Sequence, residues 1–124
     1  MDIVWVAVGG MVGAVSRHGV SRLAADRWGG ELPFGTFVVN LTGGFAIGLV
    51  LTVLVGRVAD PAWRLLLVTG FLGGYTTFSA FSYELAGMLT SGRLGWAAAY
   101  LVASNLLGVM ACLAGIICAR PFAR

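Results

Sequence analysis

The residues best equipped for chemistry in this chain run from Gly70 to Glu84: Gly-Phe-Leu-Gly-Gly-Tyr-Thr-Thr-Phe-Ser-Ala-Phe-Ser-Tyr-Glu. Gly73-Gly74 followed by Tyr75, Thr76 and Thr77 is poor helix-forming sequence inside an apolar run. A break there would free backbone carbonyls and amides, which in hydrocarbon must be satisfied by protein, water or an ion. Unwound carbonyls of an interrupted membrane helix can coordinate a sodium-sized cation. A continuous helix that uses its glycines for packing is the competing reading, and it stays open at this stage. Further on, Phe78 and Phe81 are three apart and share a helical face, with Ser79 and Ser82 on the neighbouring one. Phenyl edges carry partial positive charge. A row of ring edges with hydroxyl donors could therefore accept a small desolvated anion, although plain aromatic packing uses the same residues.

Asn40 stands in an uncharged apolar run whose other polar residues include Thr42 and Thr52. An amide buried in a membrane needs partners and often marks a functional path. It can donate to an anion or bond a neighbouring helix. Asn105, beside Ser104 in the last apolar run, carries the same ambiguity. Catalysis finds little support: there is one histidine, His18, with no Cys/His cluster, paired carboxylates or nucleophile elbow. The early glycines are no phosphate loop, since no strand precedes them and no lysine follows. The chain reads as a non-enzyme.

These residues must be held by elements that cross a bilayer. Of 124 residues, 59% are hydrophobic and only 10% charged, whereas a soluble domain carries about a quarter charged residues. Too little polar surface remains to cover a globule in water, so lipid supplies the missing environment. A span needs about 20 apolar residues, and four segments qualify, at about 3–23, 34–55, 65–89 and 94–119. They make residues 1–124 one all-α transmembrane domain. The far end of the first span carries Arg17, His18 and Arg22, and Glu84 lies near the end of the third. Met1-Asp2 leads straight into apolar sequence without the positive segment of a secretory signal, so the first run is expected to be a retained helix. Asp60-Pro61 is expected to turn the chain before the third span, and Ser91-Gly92-Arg93 to join the third and fourth. Trp5, Trp28, Trp63 and Trp96 lie at or near span ends, where indoles favour the interface.

The formal charge of +3 comes from arginine, for the chain has no lysine. Single arginines between apolar runs are membrane-surface anchors, not the basic stripe that nucleic-acid binding needs. One side of the bilayer would carry Arg17, Arg22, Arg27 and Arg93, and the other Arg57, Arg64, Arg120 and Arg124. Lys/Arg asymmetry sets orientation. With no bias, dual insertion and antiparallel pairing of two copies follow as a hypothesis. Gly9/Gly13, the Asn40–Gly44–Gly48 face and the Ser104–Gly108–Cys112 face supply small residues at spacing four. They suit close helix approach in lipid, either between copies or within one chain. Cys112 and Cys118, six apart, point to different faces, which disfavours a mutual disulfide.

Three stretches together resemble the Fluc/CrcB fluoride ion channels: Gly9 to Arg17, Gly35-Thr-Phe-Val-Val-Asn40-Leu-Thr-Gly-Gly-Phe45, and Gly70 to Ser82. The resemblance covers essentially the whole chain, and the Gly-Gly-Tyr-Thr-Thr-Phe-Ser-Ala-Phe-Ser run after the Asn40 motif is its most specific part. It implies an antiparallel, dual-topology homodimer in the inner or plasma membrane, with two pores and a third helix broken at membrane depth. It implies a structural sodium ion at the dimer interface, held by backbone carbonyls of Gly73 and Thr76 from each subunit. Phe78 and Phe81 would be the pore phenylalanines, with Asn40 donating to fluoride beside them. Thr77, Ser79, Ser82, Tyr100 and Ser104 would be candidates for a polar track, and Arg17 would sit near the aqueous vestibule. Tyr75 and His18 depart from the family, which usually has an aliphatic residue and an aromatic tyrosine at those positions. The implied activity is passive fluoride export that protects the cell from fluoride toxicity. A small multidrug-type proton-coupled transporter shares the architecture but needs a carboxylate in its first helix, and Ile3 to Ser16 contains none.

Overall fold

A computed structural model describes residues 1–57 and 60–123, which are all-helical and without strands. Arg124, counted above among the arginines of one side, lies outside the described residues. The first helix, α1, is Asp2–Trp28, and α2 is Phe34–Arg57. Residues 61–75 form α3: a first turn Pro61–Trp63, a wider π-helical stretch Arg64–Leu72 with i→i+5 bonding, and a last α-turn Gly73–Tyr75. Then come α4, Phe78–Thr90, and α5, Leu94–Ala119, which ends in the 3-10 turn Arg120–Phe122. Among the described residues, four segments are long and apolar enough to cross a membrane: Asp2–Trp28, Phe34–Val55, Pro61–Thr90 and Leu94–Phe122.

Two ends differ from expectation, each for a local reason. The first helix outruns its apolar stretch and continues to Trp28, because helical hydrogen bonds are internal and persist in water. It stops at Gly29, whose φ of 80° only glycine adopts cheaply and whose N–H bonds the Ala25 carbonyl at 2.9 Å. The third span starts at Pro61 instead of 65: Asp60 is an N-cap whose carboxylate accepts the Ala62 N–H at 2.9 Å, and proline is pre-set for the first helical position.

The glycine faces pack helices within the chain. A Cβ on Gly9 or Gly13 of α1 would collide with the carbonyl oxygens of Leu66 and Phe71 in α3. Likewise a Cβ on Gly48 of α2 would collide with the Cys112 carbonyl of α5, and one on Gly115 with the Phe45 carbonyl. The result is two tight seams, α1 on α3 and α2 on α5, in which backbone meets backbone. By contrast α4 is held mainly by its contact with α5, through a cluster of Phe81, Met88, Ala97 and Tyr100. Its outer face is open among the described residues, with Phe78 79% and Tyr83 83% exposed. Cys112 and Cys118 are free thiols.

Candidate functional site

Between α3 and α4 lie two residues with extended backbone, Thr76 (φ −79°, ψ 155°) and Thr77 (φ −147°, ψ 113°). In an uninterrupted α-helix the Thr77 N–H would donate to the Gly73 carbonyl and the Ala80 N–H to the Thr76 carbonyl. Here both donors go elsewhere. The Thr77 N–H donates to Asn40 Oδ1 at 2.8 Å, and the Ala80 N–H to Thr77 Oγ1 at 3.2 Å. The carbonyls of Gly73 and Thr76 thereby lose their α-helical donors. In a trans peptide the C=O points opposite to the N–H. Because none of the described peptide bonds is cis, Asn40 also sets the direction of the Thr76 carbonyl, away from itself.

Asn40 completes a reciprocal clasp by donating from Nδ2 to the Thr77 carbonyl at 3.1 Å. An amide nitrogen carries two hydrogens, so one remains for another acceptor. The clasp borders a cavity of about 380 Å³ that gathers Asn40, Gly73, Thr76, Thr77, Phe78, Phe81 and Ser104, with Asn105 alongside. Among the described residues, the lining includes no charged side chain. The Ser104 hydroxyl is buried there without a hydrogen-bond partner among the described residues, which leaves a donor that an anion could satisfy. Asn105 donates from its amide to the Leu101 carbonyl of its own helix at 2.8 Å.

The two phenylalanines face each other at 5.9 Å with ring planes tilted by 40°. Phe81 is only 8% exposed and meets the Tyr100 ring edge-on at 5.1 Å. The rest of the Phe78 ring is exposed.

On the other side of Thr77 is a second cavity, of about 420 Å³, which includes Arg17, His18, Ser21, Thr36 and Glu84 in its lining. Thr77 borders both spaces, so the Asn40 clasp stands between a neutral chamber and a charged one. The Glu84 carboxylate is held by two hydroxyls: Thr36 donates to Oε1 at 2.6 Å and Tyr100 to Oε2 at 2.7 Å.

Of the residues expected to act together, Arg17 therefore lines the charged cavity, and Tyr100 lies between the two sides, its ring on Phe81 and its hydroxyl on Glu84. Ser79 and Ser82 lie exposed on α4 outside both cavities, the Ser79 hydroxyl 3.3 Å from Thr77 Oγ1. Sequence reasoning gave no role to Thr36 or Glu84. A signal was present: Thr36 precedes Asn40 by four residues and shares its face, and a lone carboxylate in an apolar span requires donors.

A family model described as CrcB-like protein, Camphor Resistance (CrcB), matches residues 4–116. The chain is 45% identical over 118 residues to the fluoride-specific ion channel FluC of Acidobacterium capsulatum, covering 94% of each protein. It is 43% identical over 122 residues to fluoride-specific ion channel FluC 2 of Nitrobacter hamburgensis, covering 97% of this chain and 98% of that one. With the FluC channel of Roseiflexus sp. the identity is 45% over 122 residues, with the same coverage.

Proposed function

The chain belongs to the CrcB-like family, and we propose on that premise that it is a passive, fluoride-selective channel of the plasma membrane that works as an antiparallel pair of identical chains. It is not an enzyme. The observation that carries the reading is the neutral chamber, where the spare Asn40 amide hydrogen, the orphan Ser104 hydroxyl and the Phe78 and Phe81 rings converge without a charged side chain. Fluoride holds its water tightly, so passage requires donors that replace water in steps. A full positive charge would trap the ion, whereas neutral donors and ring edges bind it and let it leave. Such a chamber also lacks the carboxylate on which proton-coupled export of an organic cation depends. Direction is then set by the fluoride gradient, which lets a cell vent fluoride that entered as the neutral acid.

On this reading fluoride collects in the Arg17 vestibule, passes the Thr77 clasp, and moves along Phe81 and Phe78. Of the candidate hydroxyls, Thr77 and Ser104 line this route, whereas Ser79 and Ser82 lie outside both cavities and Tyr100 donates to Glu84 beside it. Two observations support pairing. The arginines balance across the two sides, and beside Phe78 the α4 face exposes Ser79, Ser82 and Tyr83, whose hydroxyls hydrocarbon would not satisfy. We assign the interrupted third helix a second task, to hold a structural sodium ion between subunits on the Gly73 and Thr76 carbonyls. Both have lost their α-helical donors to side chains, and oxygen ligands suit a hard cation. No group of three His, Cys, Asp or Glu suited to a metal exists among the described residues.

The test is fluoride efflux from liposomes holding the purified protein, read with a fluoride electrode beside a chloride control. Rapid efflux of fluoride alone is expected. A well-folded dimer that passes neither ion would refute the channel reading.

A further inference from the structure

Tyr75 is the last residue of the helical turn before the extended pair, and its ring stacks on Phe71 at 5.7 Å with planes 9° apart. Its hydroxyl lies 2.9 Å from Thr42 Oγ1. The Thr42 hydroxyl directs its own hydrogen to the Val38 carbonyl at 2.7 Å, shared with Val39 at 3.2 Å. In the pair it therefore accepts, and Tyr75 donates. Helix α2 thus grips the chain twice, at residue 77 through Asn40 and at residue 75 through Thr42. Thr76 lies between the grips, directly beneath Gly43, where a Cβ would collide with the Thr76 side chain. The Thr76 hydroxyl cannot add a third grip, because it is spent on the Leu72 carbonyl at 3.0 Å.

We infer that Tyr75 is a positioning residue for the cation site: its hydroxyl on Thr42 and the Asn40 clasp fix the Thr76 carbonyl from both flanks. The inference rests on the sodium reading above. A carbonyl stripped of its helical donor swings with the dihedrals on either side of it, and ordering it on ion binding costs affinity. Asn40 fixes the peptide after Thr76. The Tyr75 bond fixes the turn before it, a hold that an aliphatic side chain at this position lacks. The Phe71 stack limits the ring to the orientation that reaches Thr42.

The experiment uses the full-length purified channel, dialysed against graded sodium chloride with choline chloride holding ionic strength constant. Its readout is the thermal unfolding midpoint. The wild type should be stabilised by sodium. Tyr75→Phe keeps the ring stack and removes only the hydroxyl, and Thr42→Val removes the same bond from the other side. Each should raise the half-saturating sodium concentration about fivefold, the worth of one ordinary hydrogen bond. The double variant should go no further, since both changes delete one interaction. If the wild type responds to sodium and both single variants match it, Tyr75 has no positioning role and the sodium reading stands. A uniform loss of stability at every sodium concentration, or additive shifts in the double variant, would make Tyr75 a packing residue and overturn the inference. A wild type indifferent to sodium overturns both it and the sodium reading.

Discussion

The two cavities that meet at Thr77 are of similar size, about 380 and 420 Å³, yet they are built from opposite materials. One presents an amide, a hydroxyl and two phenyl rings; the other holds Arg17, His18 and Glu84. Charge acts at a distance and raises local ion concentration, but at contact range in low dielectric it holds what it attracts. Neutral dipoles act only at contact and release the ion readily. A chain that must both gather a scarce anion and let it through therefore gains by separating the two materials. The Asn40–Thr77 clasp is where this molecule separates them.

The largest effect is expected from putting charge on the wrong side. Asn40→Asp exchanges one heavy atom and keeps the shape, but it sets a carboxylate against the Thr77 carbonyl and in the proposed path of the ion. It also removes the donor that completes the clasp. Fluoride efflux should fall by about a hundredfold or more, as the site then repels the anion it must pass. Efflux at the wild-type rate would make Asn40 a packing residue and dissolve the contrast between the chambers.

Next in size are the rings. Phe81→Ile and Phe78→Ile remove ring edges while keeping apolar volume, and each should lower efflux by about tenfold or more if edges replace water around the ion. The pair should differ in stability. Phe81 is buried against Tyr100 whereas Phe78 is exposed in the single chain, so Phe81→Ile should also lower the midpoint of thermal unfolding. Unchanged efflux in both would remove the rings from the path. Ser104→Ala follows, with a several-fold loss of efflux, because one orphan hydroxyl is one neutral donor among several. An unchanged rate would leave that hydroxyl merely tolerated.

The division between the chambers was only partly legible in the sequence. Spans could be read because their length and apolarity answer to the bilayer alone. Gly73 to Thr77 stood out because local propensity fails there, and the structure has extended backbone at Thr76 and Thr77. What could not be read was the relative register of helices. Asn40 meets Thr77 across 37 residues and Thr36 meets Glu84 across 48, distances over which no local pattern speaks. The glycine faces show the same limit: spacing four announced close approach, but the partner proved to be a helix of the same chain. Tyr75 was visible only as a departure from the family. Its bond to Thr42 depends on how α2 lies over α3, which neither segment encodes alone.

The smallest effect is expected on the charged side, and there salt is the discriminating variable. Arg17→Gln keeps a polar, donating side chain and deletes a charge that lines the charged cavity but not the neutral one. If Arg17 works by concentrating fluoride, the loss should be a few-fold at about 10 mM ionic strength, where the screening length is about 30 Å. It should shrink towards nothing at about 1 M, where that length is about 3 Å. Asn40→Asp should show no such recovery, because its charge sits within the path instead of beside it. Efflux measured at the two ionic strengths for both variants therefore tests the contrast directly. A loss in Arg17→Gln that persists at high salt would mean that the guanidinium touches the ion, and the boundary between gathering and passing would have to move from Thr77 to α1.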